Sequence, residues 1–373
     1  MTRRRLTHLA LLMGVYVVAG KLGLLLAVVH ASATLLWPPT GIALAAFLRM
    51  GYGVWPAIFA GAFLVNLTTA GTVATSLGIA VGNTAEGLIG AYLVTRFAQG
   101  SRAFERGRDV LKFALLAGGI STTVSATLGV ASLCLGGVAP WEQYGAIWLT
   151  WWLGDAVGAV VVAPVLLLWS ATPWPRWSRA QVVEAALLGL SVLVVSWLVF
   201  GPGLSPGAKN YPLAYLSVTS LVWAAFRFGP RETATTMLLL SGVALAGTLF
   251  GFGPFVRPTP QESLLSLQMF IGATAVTVLG FAAVVAARHR AEEAAHRLVG
   301  ELRAALDHVK VLRGLLPICA SCKRIRNSHG QWEAIEGYVR ARSEAEFTHG
   351  VCPTCARRLY PGVAVPGRRA SSE

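Results

Sequence analysis

From residue 8 to residue 287 the chain is a succession of apolar runs, broken at intervals by short clusters of proline, glycine and charge. A helix needs roughly 20 apolar residues to cross the hydrocarbon core of a bilayer. In lipid every backbone N–H and C=O must find its partner within the protein, so only helices and closed barrels span. Divided at the clusters, the chain gives runs at 8–29, 35–50, 54–70, 75–97, 110–134, 146–170, 182–200, 211–227, 233–250 and 264–287. The second and third are short, joined by Met50-Gly51-Tyr52-Gly53, and are compatible with a re-entrant pair; the turn from Phe226 to Pro230 leaves the same alternative for the eighth and ninth. The expected fold is an all-α polytopic membrane bundle of about 8 to 10 transmembrane helices, followed by a short helical linker and a small zinc-ribbon-like domain.

Composition agrees: mean hydropathy is +0.60 and only 13% of residues are charged, against about a quarter in soluble domains. A soluble enzyme is excluded. Residues 1–287 hold 16 Lys/Arg and 8 Asp/Glu, and residues 288–373 hold 15 and 9, so the net charge of +14 divides as +8 and +6. Such an excess is expected of cytoplasmic loops, and nucleic acid is not an expected partner. Arg3, Arg4, Arg5, Arg49, Arg96, Arg102, Arg106, Arg108, Lys112, Arg176, Arg179, Arg227 and Arg231 fall on one side of the alternating connections, and only Lys209 and Arg257 on the other. The positive-inside rule then predicts a multi-pass protein of the cell inner (plasma) membrane with both termini cytoplasmic. The run after Thr2-Arg3-Arg4-Arg5 is too long for a signal-peptide core and reads as an uncleaved first span. Trp37, Trp55, Trp141, Trp148, Trp151, Trp152, Trp169, Trp174 and Trp177 fall near span ends and are expected to be interfacial anchors.

Ionisable groups within the spans carry more information, because each costs about 2.5 to 3.5 kcal/mol at the bilayer centre. Lys21, Glu86 and Asp155 fall midway along their runs, so all three are expected near one depth. Gly78, Gly82, Glu86 and Gly90 recur every four residues and line one helix face, which lets another backbone approach. Asn83 is close to that face, Asn66 lies in the third run, and Asp155 sits between Gly154 and Gly158. These residues form either a midplane site for a small ligand, ion or proton, or polar staples that hold the bundle together.

Beyond Arg288, Ala291, Ala295, Leu298, Leu302, Ala305, Val309 and Leu312 are spaced alternately by four and three, a heptad seam over residues 288–314 compatible with a parallel homodimer. Its His308 is not followed by a nucleotide-binding region and reads as solvated rather than as a phosphoacceptor. Cys319-Ala320-Ser321-Cys322 and Cys352-Pro353-Thr354-Cys355, 29 residues apart, define a module over 315–361. Four thiolates suit a closed, structural tetrahedral zinc, with His329 and His349 as substitute ligands; a redox dithiol is the alternative. Trp332, Ile335, Tyr338, Val339 and Phe347 are its expected core, and 362–373 is expected to be disordered.

Several stretches resemble the MASE1 domain: Trp37-Pro38-Pro39-Thr40-Gly41-Ile42-Ala43-Leu44, Trp55-Pro56-Ala57, Gly61 through Asn66, Gly78 through Glu86, Ser125 through Val130, and Trp151 through Gly158. MASE1 is a bacterial integral-membrane sensory module found upstream of histidine-kinase or diguanylate-cyclase domains. The resemblance implies that the Asn83, Glu86 and Asp155 stretches belong to the family's pattern. The tail, from Leu315 through Arg326 and on to Cys355, is similar to a short C-terminal module of bacterial PAS-type and receiver-type signalling proteins. Function is therefore expected to be sensory: the bundle detects a small ligand, ion or membrane state and relays it through the linker and zinc module to a cytoplasmic signalling partner. No kinase, cyclase, phosphodiesterase or phosphatase domain is visible, and no enzymatic activity is expected. A secondary transporter and a membrane thiol redox protein are the competing readings.

Overall fold

The computed structural model describes residues 3–25, 27–30, 33–34, 36–69, 71–171, 177–202, 213–308 and 315–362. Trp174, Arg176, Lys209, Val309, Leu312 and the segment 363–373 lie outside the described residues, as do the side chains of Asp307 and His308. The chain divides into two compact units, Met1–Ala291 and Glu292–Glu373.

The first unit is helical in every apolar run: α1 (Arg3–Leu24), α2 (Pro38–Met50), α3 (Trp55–Leu67), α4 (Val73–Phe97), α5 (Gly107–Phe113), α6 (Thr122–Leu135), α7 (Tyr144–Ala171), α8 (Arg179–Phe200), α9 (Leu216–Arg227), α10 (Pro230–Leu249) and α11 (Pro260–His308). Among the described residues, seven helical stretches are long and apolar enough to cross a membrane, α5 and α6 counting as one, while α2, α3 and α9 are shorter. Phe47, Ile58, Phe104, Phe113 and Leu279 belong to one apolar core; Phe200, Leu221, Met237 and Leu267 belong to a second.

Three local features position the interior. First, α2 is a half-length helix of about 20 Å, begun by Pro38 and Pro39, where the missing donors cost nothing. It runs parallel to the second half of α7. The Trp37 amide donates to the Gly154 carbonyl at 3.1 Å, Gly41 lies against the Gly158 carbonyl, and at the far end Arg49 donates to the Ser170 carbonyl. Its N-terminus therefore lies beside the middle of α7 rather than at a bundle end. Second, the preceding chain forms a short antiparallel pair, β1 (Ala27–His30) and β2 (Ala33–Thr34). The Thr34 carbonyl packs on Gly154, which is irregular backbone at membrane depth sheltered by protein. Third, α5 and α6 are joined by a π-helical segment, Ala114–Ile120. The Ser121 amide bonds the Leu116 carbonyl at 2.9 Å, and the Trp152 indole caps the Gly119 carbonyl at 2.9 Å.

The small-residue face of α4 packs on α6: Gly78 meets Ser132, Gly82 meets Leu128 and Ser125, and Gly90 meets Ser121. Sequence boundaries shift at α1, which begins at Arg3 and ends at Leu24 instead of running from 8 to 29. The arginines extend the helix outward, and its earlier end at Leu24 puts Lys21 in the last turn. Two expected anchors are corrected as well. Trp37 and Trp151 are buried, because Gly20, Gly23 and Gly129 leave room for their rings inside the bundle.

In the second unit, β3 (Ile325–Arg326) pairs with β4 (Trp332–Glu333), followed by α12 (Ile335–Arg342) and α13 (Pro353–Leu359). Ile325 is fully buried. The expected core residues Trp332, Ile335, Tyr338, Val339 and Phe347 are exposed or only half-buried, since a domain of this size has little interior to offer them.

Candidate functional site

Halfway along the bundle, five elements bring polar side chains into one buried cluster. α7 supplies Asp155 and Trp151, α4 supplies Glu86 and Asn83, α6 supplies Ser125, α1 supplies Tyr16, and the start of α2 supplies Thr40; all seven are buried. The hydrogen bonds form a chain. Trp151 Nε1 donates to Ser125 Oγ at 3.1 Å, Ser125 Oγ donates to Asn83 Oδ1 at 2.8 Å, and Asn83 Nδ2 donates to the Tyr16 hydroxyl at 3.3 Å. Thr40 Oγ1 donates to Asp155 Oδ1 at 3.1 Å.

The two carboxyl groups are neighbours, with Ser125 and Thr40 beside both. Among the described residues, both oxygens of Glu86 and Oδ2 of Asp155 are buried without a hydrogen-bond partner. A cavity of about 10 Å³, lined by Tyr16, Thr40, Asn83, Glu86, Ala117 and Ser121, adjoins Glu86 and is at the lower limit for one water molecule. No lysine or arginine lines it. An acceptor oxygen buried without a donor is costly, and a buried carboxylate more so unless it is paired. The cluster therefore has the chemistry to take a proton, a water or a small cation. The N-terminus of α2 adds the positive end of a helix dipole at the same place, an arrangement found where broken helices line intramembrane sites.

Lys21 is not part of this cluster. Its Nζ donates to Thr69 Oγ1 at 2.8 Å, just past the end of α3, so the expectation of three ionisable groups at one depth is corrected. A lysine in the last turn reaches out of the bundle rather than into it. Asn66 is also separate; its Nδ2 donates to the Ala62 carbonyl at 2.9 Å, and its own carbonyl receives the Thr69 and Gly71 amides. Tyr16, Thr40, Ser125 and Trp151 were not singled out from the sequence as site residues. The MASE1-like stretches contain the last three, whereas Tyr16 carries no sequence signal beyond its place in an apolar run.

In the tail, each cysteine pair closes its own turn. The Cys319 carbonyl accepts the Lys323 amide at 3.0 Å, with Lys323 in the left-handed region at φ 58°. Cys352 Sγ accepts the Cys355 amide at 3.5 Å. Backbone donors at the sulfurs, from Cys322 and Cys355 respectively, hold the Cys319 and Cys352 thiols below the ordinary thiol range, while Cys352 pushes the Cys355 thiol up. Each turn thus suits a thiolate. No three His, Cys, Asp or Glu side chains converge as metal ligands among the described residues, so the structure does not bring the four sulfurs together. His329 is exposed in the turn that follows β3, its amide bonded to Asn327 Oδ1 at 3.0 Å, and His349 is exposed. Cys134 is buried in α6.

The chain is 25% identical over 273 residues to the protein named "Probable diguanylate cyclase DgcE" of Escherichia coli (strain K12). The match covers 70% of this chain but spans only 23% of that relative's length. The expectation of no enzymatic activity is corrected by this relative, which is named for an enzyme. No solved structure matches the chain. The MASE1 family model matches residues 8–289, which takes in every helix of the carboxylate cluster and stops short of the cysteine pairs. MASE1 is a polytopic membrane sensory domain, and over these residues the chain belongs to the MASE1 family.

Proposed function

We propose that this membrane sensory module responds to a proton or a small cation held between Glu86 and Asp155. The observation that carries the reading is the set of three buried carboxylate oxygens without partners, next to a cavity too small for an organic ligand. A ligand shifts a conformational equilibrium only by its differential affinity for the two states. Here the element coupled to the site is the half-helix α2, whose Thr40 is the direct hydrogen-bond link to Asp155. From the bundle the signal passes along α11, which is helical from Pro260 to His308. Its seam residues Leu298 and Leu302 are exposed, which supports pairing with a second copy. A cytoplasmic signalling partner completes the relay, and the relative's name points to a diguanylate cyclase as one such output. The 13-to-2 division of basic residues supports cytoplasmic termini.

The test uses the full chain in lipid nanodiscs. Hydrogen exchange of residues 27–50 is followed across pH and across sodium and potassium concentrations, for the wild type, Glu86→Gln and Asp155→Asn. Protection that changes with one of these ions in the wild type and is flat in both variants is the expected result. A wild type that responds to none, or variants that respond as the wild type does, would sink the reading. An affinity capture with the full chain and with Cys319→Ser then tests the relay, whose expected outcome is loss of a captured cyclase or receiver protein in the variant.

Secondary transport is the second reading, favoured by the broken helix at mid-bundle depth. Ion uptake into proteoliposomes that disappears in Asp155→Asn distinguishes it from sensing.

A further inference from the structure

A second polar cavity of the membrane unit lies at the opposite end of α2 from the carboxylates. It encloses about 750 Å³, and its charged lining is Arg49, Arg102, Glu105, Arg231, Glu232 and Arg290. Four guanidiniums against two carboxylates leave an excess of two positive charges. The pairing shows where that excess resides. Arg231 and Glu232 form a largely buried ion pair, with Arg231 stacked over the Trp169 ring at 4.8 Å. Arg102 and Glu105 form an exposed pair at 3.9 Å. Arg49 and Arg290 have no carboxylate partner among the described residues. They are held by backbone carbonyls instead, Arg49 by Ser170 and Arg290 by Glu105 at 2.7 Å. A carbonyl fixes a guanidinium in place without neutralising it and leaves most of its five donors free.

We propose that this cavity is a binding site for a phosphate group, with Arg49 and Arg290 as its principal ligands. Two fixed guanidiniums with free forks match the geometry and charge of a phosphate mono- or diester better than those of a carboxylate or a halide. The site stands where four segments end or begin: the last turn of α2, the 100–105 turn, the first turn of α10, and α11 just beyond its apolar stretch. A phosphate bridging Arg49 to Arg290 ties the half-helix α2 to α11, so its occupancy bears on whether a change at Thr40 is carried into α11. The same chemistry is offered by an anionic lipid headgroup at the membrane surface and by a soluble phosphate ester in the cytoplasm.

The experiment separates the two sources. Full-length protein is placed in phosphatidylcholine nanodiscs and titrated with inorganic phosphate at constant ionic strength, following tryptophan emission. In parallel, nanodiscs are assembled from mixed phosphatidylcholine and phosphatidylglycerol, and the lipid retained by the protein after detergent extraction is quantified. Arg49→Gln and Arg290→Gln are compared with Arg257→Gln, an exposed arginine outside the cavity, and if one cavity variant fails to fold the other decides. Each removes charge-assisted hydrogen bonds, so phosphate affinity or phosphatidylglycerol retention is expected to fall about tenfold or more, with Arg257→Gln unchanged. A loss confined to phosphate assigns a soluble ligand; a loss confined to retained lipid assigns a headgroup. A wild type that shows neither preference, cavity variants equal to wild type, or an equal loss in Arg257→Gln overturns the site.

Discussion

The contact between α2 and α7 is the tightest test of the arrangement that places Thr40 on Asp155. A methyl group added at Gly41 would stand 2.6 Å from the Gly158 carbonyl oxygen, 2.6 Å from Val162 Cβ and 2.8 Å from the Ala163 amide nitrogen. Two of these three atoms are backbone and cannot turn aside, so α2 must back away from α7 by most of an ångström. Overpacking of this kind costs about 1 to 3 kcal/mol, or about 1 to 4 °C in the melting temperature of a chain this size. Gly14 in α1 is the internal control, since a methyl there meets nothing within 4 Å. Relief of glycine's backbone freedom should make that substitution stabilising by about 0.5 to 1 kcal/mol. Thermal unfolding of Gly41→Ala and Gly14→Ala in the same detergent, followed by intrinsic tryptophan fluorescence, should therefore give shifts of opposite sign. If the two variants melt together, the close seating of α2 on α7 is wrong, and the mid-bundle position of Thr40 with it.

The tail and the polar chain give the remaining predictions. Ser125→Ala leaves the Trp151 indole without its acceptor and Asn83 Oδ1 without its donor, and should cost about 1 to 3 kcal/mol with a shifted tryptophan emission; an unchanged spectrum and melting curve would contradict the network. In metal-stripped protein, Cys319 and Cys352 should alkylate at lower pH than an ordinary thiol and Cys355 only at higher pH, because a thiol held down stays thiolate as pH falls and one pushed up does not. Peptide mass spectrometry across a pH series reads this order directly, and the reverse order would refute it. The zinc reading predicts stoichiometric metal in the purified chain, lost in Cys319→Ser and in Cys352→Ser alike; full loading of either variant would disprove a four-cysteine site.

Hydropathy was sufficient to locate the helical runs, because lipid leaves a backbone few other ways to satisfy itself. It could not locate what interrupts them. β1 (Ala-Val-Val-His) overlaps the end of the first run and β2 (Ala-Thr) falls in the gap before the second, where a break in hydropathy does not distinguish a strand pair from an ordinary loop. Lys21 was misplaced because the helix ends at Leu24 and the chain goes over to a strand at Ala27, so a residue midway along the apolar run stands in the last helical turn. Trp151 was misjudged for a different reason: tryptophans gather at interfaces on average, but the partner glycine that makes room for this ring, Gly129, lies on another helix. Glu86 and Asp155 were legible as a pair because charge inside a span is rare enough to signal itself. Tyr16 was not, because a tyrosine in an apolar run is ordinary until its hydroxyl is seen to meet Asn83.

The π-helical segment between Phe113 and Ser121 sets the rotational phase of everything that follows it. Were the same residues wound as an ordinary α-helix, the extra residue that the wider turn absorbs would instead rotate α6 by about 100° about its own axis. Ser125 would then swing away from Asn83, and an apolar neighbour would face the carboxylates in its stead. The winding of this short stretch is thus as strictly constrained as the identity of the residues it aims, although none of its own side chains takes part in the hydrogen-bonded chain.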